Sequence, residues 1–227
     1  MVQSKGNSSS ALQVIKDWQH SARMEILAKL FGSSSRVKII KLFLFNPTQG
    51  FSKTDVVRRA KVSASVARKE INMLEQIGML KRCSFYPTES IETDEKPKGK
   101  KTAGFIVDPS FEFLKQLQSL LININPLRHD EILKRLNNVG KLKLVIVAGV
   151  FIQNWDSRLD ILIVGDKVKS GMVDQALKYL ESEIGKELKY AVFETDDFKY
   201  RLNIYDKLVR DVIDYPHQKI VNKVDIR

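Results

Sequence analysis

Two apolar runs, KLKLVIV from Lys141 and RLDILIVGD from Arg158, constrain this chain more than any other feature. Neither approaches the length needed to span a bilayer, and their branched aliphatic content is that of strands. KLKLVIVAGVFI reads as a buried strand followed by a turn, and RLDILIVGD as a second strand that begins with polar and apolar residues in alternation. Downstream, GMVDQALKYLESEIGKEL has the spacing of an amphipathic helix, KYAVFET that of a third strand, and DDFKYRLNIYDKLVRDVID that of a closing helix pair. Strand, turn, strand, helix, strand, helix makes a small α/β layer over residues 141–227.

The 227 residues suffice for a second, independent core before that layer. Residues 1–10 are polar and Ser-rich, so a disordered tail without a secretory signal is expected there. From Ala11 to Phe31 an amphipathic helix is predicted, with Leu12, Ile15, Met24, Leu27 and Phe31 on one face that needs a partner. Tail and helix together make up residues 1–32. Gly32 ends that helix, the serines after it cap RVKIIKLFLF, and NPTQG breaks the pattern. In this second helix Val37, Ile40 and Leu44, with Ile39 and Phe43, form the predicted apolar face.

Residues 33–109 then acquire a specific order. Ser52 can cap a helix from Lys53 to Ala60, Lys61 and Val62 form a tight turn, and Ser63 caps a longer helix from Ala64 to Ile77. Ala67, Ile71 and Leu74, supported by Val66 and Ile77, are its predicted buried stripe, leaving Ser65, Arg68, Lys69, Asn72 and Gln76 outward. Gly78 suits the C-cap, and MLKRCSFY and TAGFIV form two strands around the long loop PTESIETDEKPKGKK. Residues 110–140 are expected as a helical linker: FEFLKQLQSLLINI with Phe113, Leu117 and Leu120 inward, a stop at Asn125 and Pro126, then LRHDEILKRLNNVG.

Over Ser33 to Pro109 this order resembles winged helix-turn-helix DNA-binding domains. The resemblance implies that Ser65, Arg68, Lys69 and Asn72 face a major groove while Lys53 and the backbone near Ser63 hold phosphate. Arg68 has the donor geometry for guanine and Asn72 for adenine. In the loop, Lys96, Lys98, Lys100 and Lys101 either follow a phosphate backbone or belong to a solvated insertion. Charge agrees with a polyanion partner. Of a net charge of +11, residues 1–109 carry +9, from 19 Lys and Arg against 10 Asp and Glu.

The second half is similar to the minimal nucleotidyltransferase fold of the DNA polymerase beta superfamily, over about Lys141 to Lys223. That family holds nucleotide phosphates with a Gly-Ser pair and two metal ions with an Asp-apolar-Asp pair. Two metals need two carboxylates to fix them. Here Gly149 keeps the glycine but Val150 stands in the serine's place, and Ser157 and Asp160 remain while Arg158 occupies the first carboxylate position. A third acid would fall near Tyr190 or Val192, which cannot bind metal. Pairing Asp156 with Asp160 instead puts the carboxylates four residues apart across a turn, which one strand face cannot present without a kink or bulge. The resemblance therefore implies a degenerate site, with Asp160 a structural acceptor or a partner for Arg158 or a lysine.

Cys83 is the sole cysteine and the three histidines are scattered, so no internal disulfide, metal site or cofactor is expected. Cytoplasmic location without membrane contact is the matching expectation. Together these readings predict an α/β (α+β) protein that binds double-stranded DNA as a transcriptional regulator and homodimer. The degenerate layer would serve dimerisation, sensing or a protein partner. An active nucleotidyltransferase on protein or RNA, or a toxin-antitoxin component, are the alternatives, and RNA stays open beside DNA.

Overall fold

A computed structural model describes residues 26–86, 100–122 and 127–224. Residues 26–30 are helical, with Leu27 buried and Phe31 packed on the first core, and Gly32 (φ +76°) ends this segment. The rest of the predicted Ala11–Phe31 helix lies outside the described residues. Ser33 caps α1 (Ser34–Phe45) by accepting from the Arg36 amide. Ser52 caps α2 (Lys53–Ala60) in a reciprocal box with Asp55, and Lys61 closes it in the left-handed region. Ser63 caps α3 (Ala64–Gln76), and Gly78 turns the chain into β1 (Leu80–Phe85), which pairs antiparallel with β2 (Thr102–Val107). Phe51 adds a short antiparallel bridge to Phe105.

The buried faces of α1, α2, α3, β1 and β2 enclose one core around Phe43, Phe51, Ile71, Leu74 and Met79. Its inner stripe departs from expectation at one end. Ile77 is 53% exposed, because α3 stops at Gln76 and the positive φ of Gly78 swings the chain so that Met79 and Leu80 enter the core instead. Glu70 takes an inner position at 4% exposure, held by the Arg36 guanidinium, whose Nε donates to Oε2 at 2.6 Å. The next helix, α4 (Leu114–Leu121), also turns a different face inward. Leu114, Leu117 and Leu121 meet the first core, whereas Phe113 is 54% exposed at the N-cap, edge-on to Phe111, and Leu120 points outward.

The second half is a four-stranded sheet in the order β5, β4, β3, β6, formed by β3 (Lys141–Val147), β4 (Ile161–Asp166), β5 (Tyr190–Glu194) and β6 (Gln218–Asn222). β4 and β5 run parallel; the other pairs are antiparallel. Alternation places Val145, Val147, Ile161 and Ile163 against α5 (His129–Leu136) and α6 (Ser170–Ile184) on one face. Leu144, Ile146, Leu162 and Val164 meet α7 (Thr195–Asn203) and α8 (Lys207–Asp214) on the other. The chain is thus an α+β protein, with an α/β layer after a mostly helical half. The expected linker divides its contacts: α4 packs on the first core and α5 on the second. β6 replaces the expected end on a helix pair, because the chain returns after α8 as a short edge strand on β3. Among the described residues no helix is long and apolar enough to cross a membrane.

α1 joins the halves. It is buried nearly all round, Lys41 and Leu42 included, because its second side packs on α6 rather than facing water. Lys38 pairs with Glu183 at 2.7 Å, and Asn46 Nδ2 donates to the Gly185 carbonyl at 2.9 Å. Gly185 closes α6 at φ +93°, and a Cβ there would stand 2.6 Å from the Lys41 carbonyl carbon. Gly185→Ala is therefore expected to cost about 2 kcal/mol from backbone strain and overlap. Gly171→Ala, where a Cβ meets nothing within 4 Å, serves as control and should be neutral or slightly stabilising in the same urea titration. Equal midpoints for the two variants would refute the close joint.

Candidate nucleic-acid interface

The side chains on the outer face of α3 are set by its cap. Ser63 Oγ accepts from the Val66 amide at 3.3 Å and lies 3.0 Å from Ser65 Oγ, so the N-terminal turn presents both hydroxyls to the surface. With Ala67, Glu70, Ile71 and Leu74 turned inward, Ser65, Arg68, Lys69, Asn72 and Gln76 are all exposed. Among the described residues Arg68, Lys69 and Asn72 make no side-chain hydrogen bond or ion pair, so their donors face water. A guanidinium and a carboxamide on neighbouring turns of one exposed helix can each form two parallel hydrogen bonds to a planar partner.

The surrounding charge is selective. Lys53, on the first turn of α2, is exposed with its Nζ 5.9 Å from the Phe105 ring centroid. Arg58 is held by Asp55 at 3.0 Å, and Arg82 of β1 by Glu75 at 2.6 Å, which also raises the guanidinium's pKa above its ordinary value. These pairs remove both acids from competition with an anion near α3. Lys100 and Lys101 are exposed where the chain enters β2, Lys101 5.7 Å from the Tyr86 ring. Lys96 and Lys98 lie outside the described residues. The Arg36–Glu70 pair beneath α3 escaped sequence reasoning, although an acid inside an apolar stripe was a visible signal.

The positions expected for a nucleotide site occupy the other half. Gly149 (φ +51°) opens a 3-10 turn, Gly149–Ile152, directly after β3. Asp160 faces that turn at 3% exposure: Oδ1 accepts from the Val150 amide at 2.8 Å and Oδ2 from the Lys189 amide at 2.9 Å. A Cβ on Gly149 would overlap Asp160 Oδ1. Ser157 Oγ donates to the Leu159 carbonyl at 2.7 Å. Arg158 points away from Asp160, its Nε 2.7 Å from Asp211 Oδ2 in an ion pair that lacks hydrogen-bond geometry. Tyr190 and Val192 stand opposite Ile161 and Ile163 in the β4–β5 register, and the Tyr190 hydroxyl donates to Asp174 at 3.2 Å. Gly149 and Asp160 are therefore brought together, while Ser157 and Arg158 turn to other partners. Asp160 is engaged at both oxygens by backbone donors, so this arrangement fastens β3, the turn and β5. Among the described residues no three His, Cys, Asp or Glu side chains gather in a metal-holding group.

Compared with known protein families, curated proteins and solved structures, the chain matches none.

Proposed function

We propose that this chain binds double-stranded DNA sequence-specifically, as a transcriptional regulator, by laying α3 in the major groove. The observation that carries this reading is the outward face of α3, where Arg68, Lys69 and Asn72 are exposed without partners among the described residues. The +9 charge of residues 1–109 supports it, since phosphate contact supplies affinity while base edges supply specificity. In this reading the α/β layer is not catalytic. It serves assembly of a homodimer, sensing or a protein partner, and Asp160 stays committed to its two backbone amides.

The test is selection of bound sequences from random duplexes, followed by titration of the winner and a scrambled duplex at two salt concentrations. Arg68→Ala should weaken the winner about tenfold to a hundredfold and relax preference at one position. Lys53→Ala should weaken both duplexes alike and flatten the salt dependence by about one phosphate contact. A homodimer further requires a two-fold footprint with half-sites about one helical turn apart. Salt-sensitive binding without any enriched motif would overturn base readout by α3.

A further inference from the structure

Between the helical half and α6 lies a cleft of about 410 Å³, a size suited to small metabolites. Leu42, Phe51 and Phe85 give it an apolar wall from the first half. Lys178 and Glu181 of α6, with Lys186 beyond Gly185, face them from the second. Lys61, at the left-handed end of α2, stands at the same opening.

The charges around this cleft do not balance. Asp55 is engaged by the Ser52 amide at 3.0 Å and by Arg58, and Glu187 by Arg59 at 2.7 Å. Glu181 Oε1 accepts from the Leu188 amide at 2.9 Å, and burial pushes its carboxyl above the ordinary carboxylate range. Lys61, Lys178 and Lys186 form no ion pair among the described residues; Lys61 and Lys186 only approach the rings of Tyr179 and Trp155, at 5.9 and 5.3 Å. Lys178 and Arg59 also act on the Glu181 carboxyl through their charge. The lining as a whole sets five cations, Arg58, Arg59, Lys61, Lys178 and Lys186, against three acids, Asp55, Glu181 and Glu187, so positive charge is left over.

We infer that this cleft is a binding site for a small organic anion, a carboxylate or phosphate ester with a flat apolar body. The body lies against the half-buried Phe85 ring, beside the Arg59 guanidinium that covers Phe51, while the acid group meets Lys61 and Lys178 from opposite halves. The site exists only when the halves are docked, so its occupant tightens the joint. This inference does not depend on DNA binding.

The probe is 8-anilinonaphthalene-1-sulfonate, an anion with a flat apolar body, titrated into the full chain by fluorescence. Saturable binding of one probe per chain is expected, weakened at least tenfold by Lys61→Glu combined with Lys178→Glu. Both lysines are exposed, so the variant should fold with an unchanged melting midpoint. In the wild type, probe at about a hundredfold excess over its Kd should raise that midpoint by about 5 °C. Tyr205→Ser, at an exposed ring remote from these residues in sequence, should leave the titration unchanged. Probe binding that ignores the double reversal, or that Tyr205→Ser removes, would overturn the site. So would displacement of the probe by mixed-sequence duplex DNA, which would make these lysines part of a nucleic-acid surface.

Discussion

Asp160→Ala is expected to lower the unfolding free energy by about 3–5 kcal/mol. The carboxylate is 3% exposed and accepts one backbone amide at each oxygen, from Val150 and from Lys189. Alanine leaves both donors without an acceptor, and a buried unsatisfied donor costs about 1–3 kcal/mol, more where the lost partner carries charge. Solvent has poor access to the amide of Val150, which is itself buried, whereas Lys189 is exposed, so most of the cost falls on the Val150 donor. The two amides belong to segments far apart in the chain, so the loss is felt by the end of β3 and the start of β5 together. Asp160→Asn should fall between, because a carboxamide offers one oxygen and turns an N–H toward the other donor. Gly149→Ala should also destabilise, from its positive φ and from overlap with Asp160 Oδ1. Urea titration at neutral pH checks the series; Asp160→Ala within 1 kcal/mol of wild type would remove the fastening role.

Legibility in this chain follows how local each determinant is. The caps at Ser52 and Ser63 and the outward set Ser65, Arg68, Lys69 and Asn72 were readable because a cap and a helix period involve residues within one or two turns. The inward positions Ile77, Phe113 and Leu120 were misread for a different reason. Which residue enters the core at a helix end depends on where the helix stops and how the next turn swings, as Gly78 shows by admitting Met79 in place of Ile77. β6 was missed because an edge strand with a half-exposed pattern exists only through its pairing with β3, far back in sequence. At the α/β turn, sequence left Asp160 between an acceptor role and an ion pair. Arg158 takes Asp211 on α8 and leaves Asp160 to the backbone, a choice that the three-dimensional route of the chain makes. The joint between halves was invisible for the same reason: α1 has one apolar face by spacing and acquires its second only when α6 covers it.

That second face also carries the strongest pH dependence expected of the fold. Lys41 is 3% exposed between α1 and α6, with its Nζ 3.4 Å from the Glu183 carbonyl. Burial pulls its pKa down from 10.5 to about 8, a fall that Glu183 and Glu131 oppose and Lys38 assists. Below pH 8 the amine is protonated in both folded and unfolded chains, and the folded state carries the desolvation cost. Between about 8 and 10.5 the folded chain releases the proton while the unfolded chain keeps it, so unfolding must take up a proton and stability rises with pH. The gain attributable to Lys41 reaches about 3 kcal/mol by pH 10.5. Tyrosines act in the opposite sense at the alkaline end: burial raises Tyr179, and the stability linked to its neutral form is lost as pH climbs past the ordinary tyrosine range. Comparison with Lys41→Met isolates the lysine, since every other group titrates in both proteins. From pH 7.5 to pH 10 the urea midpoint of wild type should rise relative to that of Lys41→Met. Parallel midpoints across that interval would mean that water reaches the amine in the folded chain, and α1 could not then be sealed against α6.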